Sequence, residues 1–179
     1  MVQRVQVRRG VASLWTTVNP ILVDGEPGFE TDTGYVKFGN GTSPWAALPY
    51  LAAPEATDAV IWAGTDAVTR VSPRRLFSSS IEQALTDGAT ITPNFAAGVN
   101  FSVTLAGNRT LANPTGAKSG QSGVIIITQD ATGSRTLAYG ANWKFLANDS
   151  TLSTVANTID VISYFVRPSG QILSALARG

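Results

Sequence analysis

The sequence predicts a mainly β protein in three parts. Residues 1–51 read as a chain of short β-elements, 52–88 as a linker with one helix, and 89–179 as a β-sandwich of jelly-roll type. Three observations carry this. The 179 residues include 20 Thr, 15 Ser and 17 Gly, a composition of β-branched and turn-forming residues. Short runs alternate apolar and polar side chains, as half-buried strands do. Turn signals recur about every ten residues through the last half of the chain, the rhythm of a sandwich.

In the first part, Val2 to Arg9 is strand-like, and Val11 to Asn19 has room for one or two helical turns before Pro20. Glu26-Pro27-Gly28 carries the type II turn pattern. Asp32-Thr33-Gly34 separates two short strands, and Gly39-Asn40-Gly41 supplies another tight turn. In the second part, Ala52 to Glu55 reads as linker and Val60-Ile61-Trp62 as a brief apolar run. Ser72 followed by Pro73 is an N-cap with proline in the first turn. The helix so started runs through Leu85 and stops at Gly88. Its stripe of Phe77, Ile81 and Leu85 is narrow, and a seam of that kind suits a bundle of identical helices. In the third part, Phe101, Val103 and Leu105 alternate, and Val124 to Ile127 is a continuous apolar run fit for a central strand. Thr136 to Tyr139 and Trp143 to Leu146 add short segments. Ile159 to Val166 and Ile172 to Leu176 flank Pro168-Ser169-Gly170 as a terminal hairpin.

Composition narrows the chemistry. The chain has no His and no Cys, so thiolate, imidazole and ordinary zinc chemistry are absent. Net charge is +1, which argues against a surface adapted throughout to nucleic acid. No apolar run is long enough to span a bilayer, and no signal peptide follows Arg4, Arg8 and Arg9. Charged residues are only 14% of the chain, against about 25% in an average domain. Either something other than charge keeps this surface soluble, or much of it is buried against copies or partners.

Candidate chemistry is thin. Asp32-Thr33-Gly34 matches the aspartic-protease triplet, but Phe29-Glu30-Thr31 before it is not the apolar strand such a dyad needs, and the triplet is also a good turn. Asp130, Asp149 and Asp160 are the acids of the third part, where a glycosidase would need a pair. Gly116-Ala117-Lys118-Ser119 lacks the glycine a phosphate loop requires before its lysine. Tyr139, Asn142, Trp143 and Lys144 combine aromatic rings with amide and ammonium donors, as a sugar-binding groove does, although a Trp in a small β-domain is more often core. Arg4, Arg8 and Arg9 form a basic N-terminus with no acid before Asp24. From Asp24 to Asp66 seven acids face Lys37 alone. Such a split suits electrostatic docking as well as a solvated face.

The block VQVRRG…W…GEPGFETDTGYVKFGNGTSPWAALPY closely resembles the N-terminal domain of phage tropism-determinant and tail-fibre proteins. The matching residues run from Arg8, Arg9, Gly10 and Trp15 through Gly25, Glu26, Gly28, Glu30, Asp32, Thr33, Gly34 and Lys37 to Gly39, Gly41, Pro44, Trp45, Leu48, Pro49 and Tyr50. The segment GTDAVTRVSPRRL resembles a connector of phage fibres. AGNRTLANPTG and QDATGSRTLAYGANWKF resemble β-domains at the ends of phage and gene-transfer-agent fibres or spikes. The large lectin-like receptor domain of tropism determinants has no counterpart here.

The resemblance implies a β-prism-like N-terminal domain and an intertwined homotrimer, a structural protein on the exterior of a phage particle rather than an enzyme. Arg4, Arg8 and Arg9 would dock it to tail, baseplate or capsid proteins, and Phe77, Ile81 and Leu85 would register three chains. The resemblance assigns no receptor to any residue; on their own chemistry Tyr139, Asn142, Trp143 and Lys144 are the candidates through which the C-terminal domain would bind a host-surface glycan, or it would serve as a receptor-facing knob. No cofactor, metal, nucleic acid or membrane insertion enters this reading. Its alternatives are a capsid-bound head fibre or decoration protein without receptor binding, and a small polysaccharide depolymerase using Asp149 or Asp160.

Overall fold

The computed structural model describes residues 7–179 and is mainly β. The chain forms two compact units. The first runs up to Glu55 and includes Ala67–Arg70; the second comprises Ala56–Asp66 and Val71–Gly179. Glu55 pairs with Arg70 in a parallel bridge, and the Arg70 N–H donates to Pro54 O, which draws that short return segment into the first unit.

In the first unit β1 (Arg8–Gly10) lies parallel to β2 (Pro27–Glu30), and β3 (Val36–Phe38) is antiparallel to β2. Between β1 and β2 the chain makes α1 (Ala12–Val18), ended by Asn19 in the left-handed region at φ 45°. The Asn19 side chain then accepts from Ala46 N–H at 2.8 Å, tying the helix end to a 3-10 turn at Trp45–Ala47. The core is small: Trp15, Leu22, Trp45 and Leu48. Its centre is a stack of Trp15 on Trp45, with ring centroids 4.1 Å apart.

That stack corrects one expectation. Glu26-Pro27-Gly28 is not a type II turn. The left-handed glycine is Gly25 at φ +76°, and Pro27 opens β2, a first strand position where its missing N–H costs nothing. Gly28 is glycine because a Cβ there would sit 2.4 Å from Trp45 and 3.1 Å from Trp15.

The second unit begins with α2 (Asp58–Ala63), capped by Thr57, and α3 (Pro73–Ser78), capped by Ser72 as the sequence predicts. Here a second expectation fails: α3 stops at Ser78, well short of Leu85. Two of three successive serines explain it. The hydroxyls of Ser79 and Ser80 both donate to Leu76 O, the carbonyl the next helical N–H would use, while Ser78 Oγ turns to Asp58 Oδ1 at 2.8 Å and Arg75 O keeps its bond from Ser79 N–H. Gln83 and Ala84 are already β4.

From β4 (Gln83–Ala84) the chain coils. The next strands are β5 (Thr90–Ile91), β6 (Asn100–Leu105), β7 (Arg109–Leu111), β8 (Ser122–Gln129) and β9 (Leu137–Tyr139). They fall alternately into two sheets: β4, β6 and β8 pair in parallel in one, and β5, β7 and β9 in the other. A parallel bridge from Asn94 to Thr115 stacks the loops between them. The result is three rungs of a parallel coil. After β10 (Trp143–Phe145), the antiparallel hairpin of β11 (Ile159–Val166) and β12 (Ile172–Ala177) extends the larger sheet to the order β10-β12-β11-β8-β6-β4.

A jelly roll, built from antiparallel pairs, is therefore not the topology. The ten-residue rhythm of the sequence is real, but it separates strands in opposite sheets. Neighbours within a sheet lie two elements apart in the chain, far enough for a parallel crossover. The inner layer is Phe95, Phe101, Val103, Leu105, Leu111, Ile125, Ile127, Ile162, Tyr164, Val166 and Ile172, among others. Phe95 stacks on both Phe101 and Tyr164. Gly123 gives the rungs their closeness, since a Cβ there would meet Val99 O at 1.9 Å.

That contact yields a stability prediction. Gly123→Ala must push apart backbone rather than a flexible side chain, and we expect a loss of about 3 kcal/mol or more, at the upper end of overpacking costs. Gly170→Ala, in open space at φ +78°, should cost only about 1–2 kcal/mol of left-handed strain. Urea unfolding of both variants tests the order; equal losses would contradict it.

Candidate docking site

In the first unit a buried polar cluster sits behind the tryptophan stack. Lys37, buried on β3, donates from Nζ to Trp45 O at 2.9 Å and lies over the rings of Tyr50 and Trp45, at 4.3 and 5.0 Å from their centroids. Glu30, buried on β2, accepts from Thr33 Oγ1 and from Tyr50 Oη at 2.9 Å. Burial draws the Lys37 pKa below its ordinary value, opposed by the charge of Glu30. Burial, with the hydrogen bond and charge of Glu30, pushes Tyr50 up to about 12. Asp32 accepts from Ala12 N–H at 2.9 Å and from Thr33 N–H at 3.1 Å, so it holds the start of α1 and its own turn. The Asp-Thr-Gly triplet is thus architectural.

On the surface of this unit lies a shallow groove formed by Arg8, Arg9, Gly10, Leu14, Trp15, Val18 and Pro20. Arg8 is held in place: its guanidinium lies 5.5 Å from the Trp15 ring centroid and 3.8 Å from Glu26. Arg9 is exposed on the same strand. Leu14 and Val18, one turn apart on α1, stand 54% and 59% exposed beside them. Two cations next to an aliphatic ridge can receive an apolar surface rimmed with carboxylates. Arg4 lies outside the described residues. Leu14 and Val18 escaped the sequence reading, although their four-residue spacing on a predicted helix was the available signal.

The expected helical seam is not assembled. Phe77, on the last turn of α3, is 78% exposed; Ile81, beyond the helix, is 60% exposed. Leu85 instead follows β4 and packs against the core of the second unit. The three side chains do not share a helix face.

Of the aromatic cluster, Tyr139, Trp143 and Lys144 border one open cleft together with Phe145, Asn148 and Ser150, and Asn142 is not among its lining. Trp143 is 5% exposed, its indole N–H donates to Ala112 O at 3.0 Å, and it meets Phe95 and Tyr164 edge-on. It is a core residue and not a stacking platform for a sugar. Tyr139 donates from Oη to Ser150 O and tilts against Phe145, and burial raises its pKa. Asn142 receives its place from Asn113, whose side chain accepts from the Asn142 N–H. Lys144 alternates to the opposite side of β10 from Trp143 and is exposed.

The acids of the second unit are structural in placement. Asp160 is fully buried, accepting from Ser153 N–H, Ser153 Oγ and Gly179 N–H. Asp149 pairs with Arg178 at 2.6 Å. Asp130 pairs with Arg135 and Asp87 with Arg109, each engaging both carboxylate oxygens. Those arginines hold Asp130 and Asp87 below the usual carboxylate range. Among the described residues no cluster of three His, Cys, Asp or Glu could hold a metal, and no helix is long and apolar enough to cross a membrane.

Because the folded pKa values of Asp87 and Asp130 are depressed, their contribution is present above the ordinary value of 3.8 and is lost as pH falls through the lower folded values. The thermal midpoint should therefore fall between about pH 5 and pH 2. In Arg109→Gln/Arg135→Gln that fall should be shallower, as followed by calorimetry; an unchanged slope would count against these pairs.

Comparison with known proteins meets this architecture at both ends. Residues 5–43 match the model of the Major tropism determinant N-terminal domain, and residues 91–170 match that of a phage tail fibre C-terminal domain. Both agree with the families the sequence resembles. A hyaluronoglucosaminidase of Streptococcus pyogenes phage H4489A is 48% identical over 52 residues, 29% of this chain and 14% of that protein. Its counterpart in phage H10403 is 42% identical over 48 residues, again 14% of its length. The chain thus spans a small fraction of these relatives. A crystal structure of a full-length streptococcal bacteriophage hyaluronidase, in complex with unsaturated hyaluronan octa-saccharides, is 47% identical over 30% of this chain and 15% of its own, with a TM-score of 0.27.

Proposed function

We propose that this chain is a structural protein of a phage particle, a short trimeric fibre or spike. Its N-terminal unit docks to the particle, and its C-terminal unit faces the host surface. One observation carries the reading: a tropism-determinant N-terminal domain and a tail-fibre C-terminal domain are matched in that order in a single chain. The groove on the first unit supports the docking end. Arg8 and Arg9 would meet carboxylates on a tail, baseplate or capsid protein, and Leu14 and Val18 would bury against its apolar surface. Host contact is a role of the second unit as a whole, since Trp143 is taken up by the core.

The hyaluronidase matches favour a second reading, that of a depolymerase. Against it, the matched stretch is 14% of each of those enzymes, and Asp130, Asp149 and Asp160 are each engaged in holding loops or the chain terminus. A shared attachment segment explains the likeness with no catalytic role.

Gold-labelled antibody against the chain should decorate the outside of particles. Arg9→Glu, which leaves Arg8 on Trp15 and Glu26, should fold normally yet reduce incorporation at least tenfold, because a favourable charge contact becomes repulsive. Normal incorporation of that variant would overturn the docking role. Incubation with hyaluronan should release no new reducing or unsaturated ends; release would establish the depolymerase reading instead.

A further inference from the structure

The outer face of the six-stranded sheet has an unusual property. Strand register places Thr104, Thr128 and Ile159 in one row, and Ala84, Ser102, Ile126, Val161 and Ala177 in the next. Asn100, Val124, Ser163 and Ala175 follow, and Ser122, Phe165 and Leu173 complete the face. Ile159 and Phe165 are exposed large apolar residues in it. The four inner strands, β6, β8, β11 and β12, contain a single charged residue, Asp160, and it points inward and is buried. Exposed sheet faces and edges of soluble proteins are ordinarily protected by charge. This one is bare.

Among the described residues, charge stands at its two lateral margins with opposite signs, and Arg167 flanks the hairpin end just beyond β11, where it donates to Gln171 Oε1. Lys144 pairs in register with Leu173, which puts it on the outer face at the β10 edge. Glu82, exposed just before β4, lines the cleft at the other edge together with Ala84, Ser102, Thr104, Ile126, Thr128 and Ile159. Strands about 4.8 Å apart with a rise of about 3.3 Å per residue make this face roughly 25 by 20 Å. Three such faces turned toward one axis remove on the order of 1,500 Å² from solvent, about 500 Å² from each copy, within the range of specific protein–protein interfaces.

We propose that this face is the contact between copies of the same chain, three sheets closing around an axis with the β10 edge of each copy against the β4 edge of the next. A closed ring brings unlike edges together, so Lys144 of one copy meets Glu82 of its neighbour. Ile126, Val161 and Phe165 fill the interior. The number of copies rests on the fibre reading above; the surface rests on the bare face and its charged margins alone.

Sedimentation equilibrium of the full chain tests it. The wild type should run at three times 18.8 kDa. Val161→Lys, at an outward position in the centre of the face, should be a monomer with an unchanged circular dichroism spectrum. Lys144→Glu and Glu82→Lys should each weaken association at least tenfold, and the double swap should restore it. A trimeric Val161→Lys, or no rescue in the double swap, would overturn this surface while leaving a trimeric fibre standing. A wild type that is monomeric at micromolar concentration would overturn the assembly itself, whereas failure of particle labelling would overturn the fibre reading without touching the trimer.

Discussion

Phe95 is the residue on which the second unit depends. It sits in the loop after β5, fully buried, with its ring stacked on Phe101 of β6 at 5.5 Å and on Tyr164 of β11 at 4.5 Å. Trp143 of β10 meets it edge-on. One side chain thus joins the parallel coil to the antiparallel hairpin that completes the sheet. Tyr164 adds a donor from its hydroxyl to Val99 O at 2.7 Å, and Gly123 leaves the room for it. Parallel rungs have no tight hairpins to set their register, so long loops must be fastened from within. Aromatic stacking and buried side-chain hydrogen bonds do that here. Gln121 donates to Phe95 O and Gly98 O, and Gln129 donates to Arg135 O and accepts from its N–H.

The first unit solves the same problem with less. Four buried side chains cannot supply much apolar area, and the Trp15–Trp45 stack provides most of what there is. Lys37 and Glu30 then spend buried charge on fixing the turns around it. Such groups specify geometry more than they stabilise. The consequence for docking is direct, because Trp15 is also the ring that orients Arg8. Core and candidate contact share one residue.

Low charge content acquires a location. Two arginines of the second unit, Arg109 and Arg135, sit at rung ends, where they clamp Asp87 and Asp130. The broad sheet face is left with Thr, Ser, Ala and branched apolar side chains.

The sequence by itself determined β6, β8, β9, β10, β11 and β12 of the second unit, the Pro168-Ser169-Gly170 hairpin, the Ser72 cap and the likeness of both ends to phage fibre families, because each is written in residues that are close along the chain; it missed the two- and three-residue strands β5 and β7 and placed β4 in a helix. The burial of Trp143 was visible only as a general preference for core. What the tertiary structure decided is which strands pair. Alternation tells a strand which face is inward but not who lies beside it, so a ten-residue rhythm fits a jelly roll and a parallel coil equally well. The end of α3 at Ser78 turned on the Ser79 and Ser80 hydroxyls, which both donate to Leu76 O, a local competition that an apolar stripe conceals. The bare sheet face, too, was present in the sequence only as a low charge fraction. It became a surface when four strands distant in the chain were brought into register.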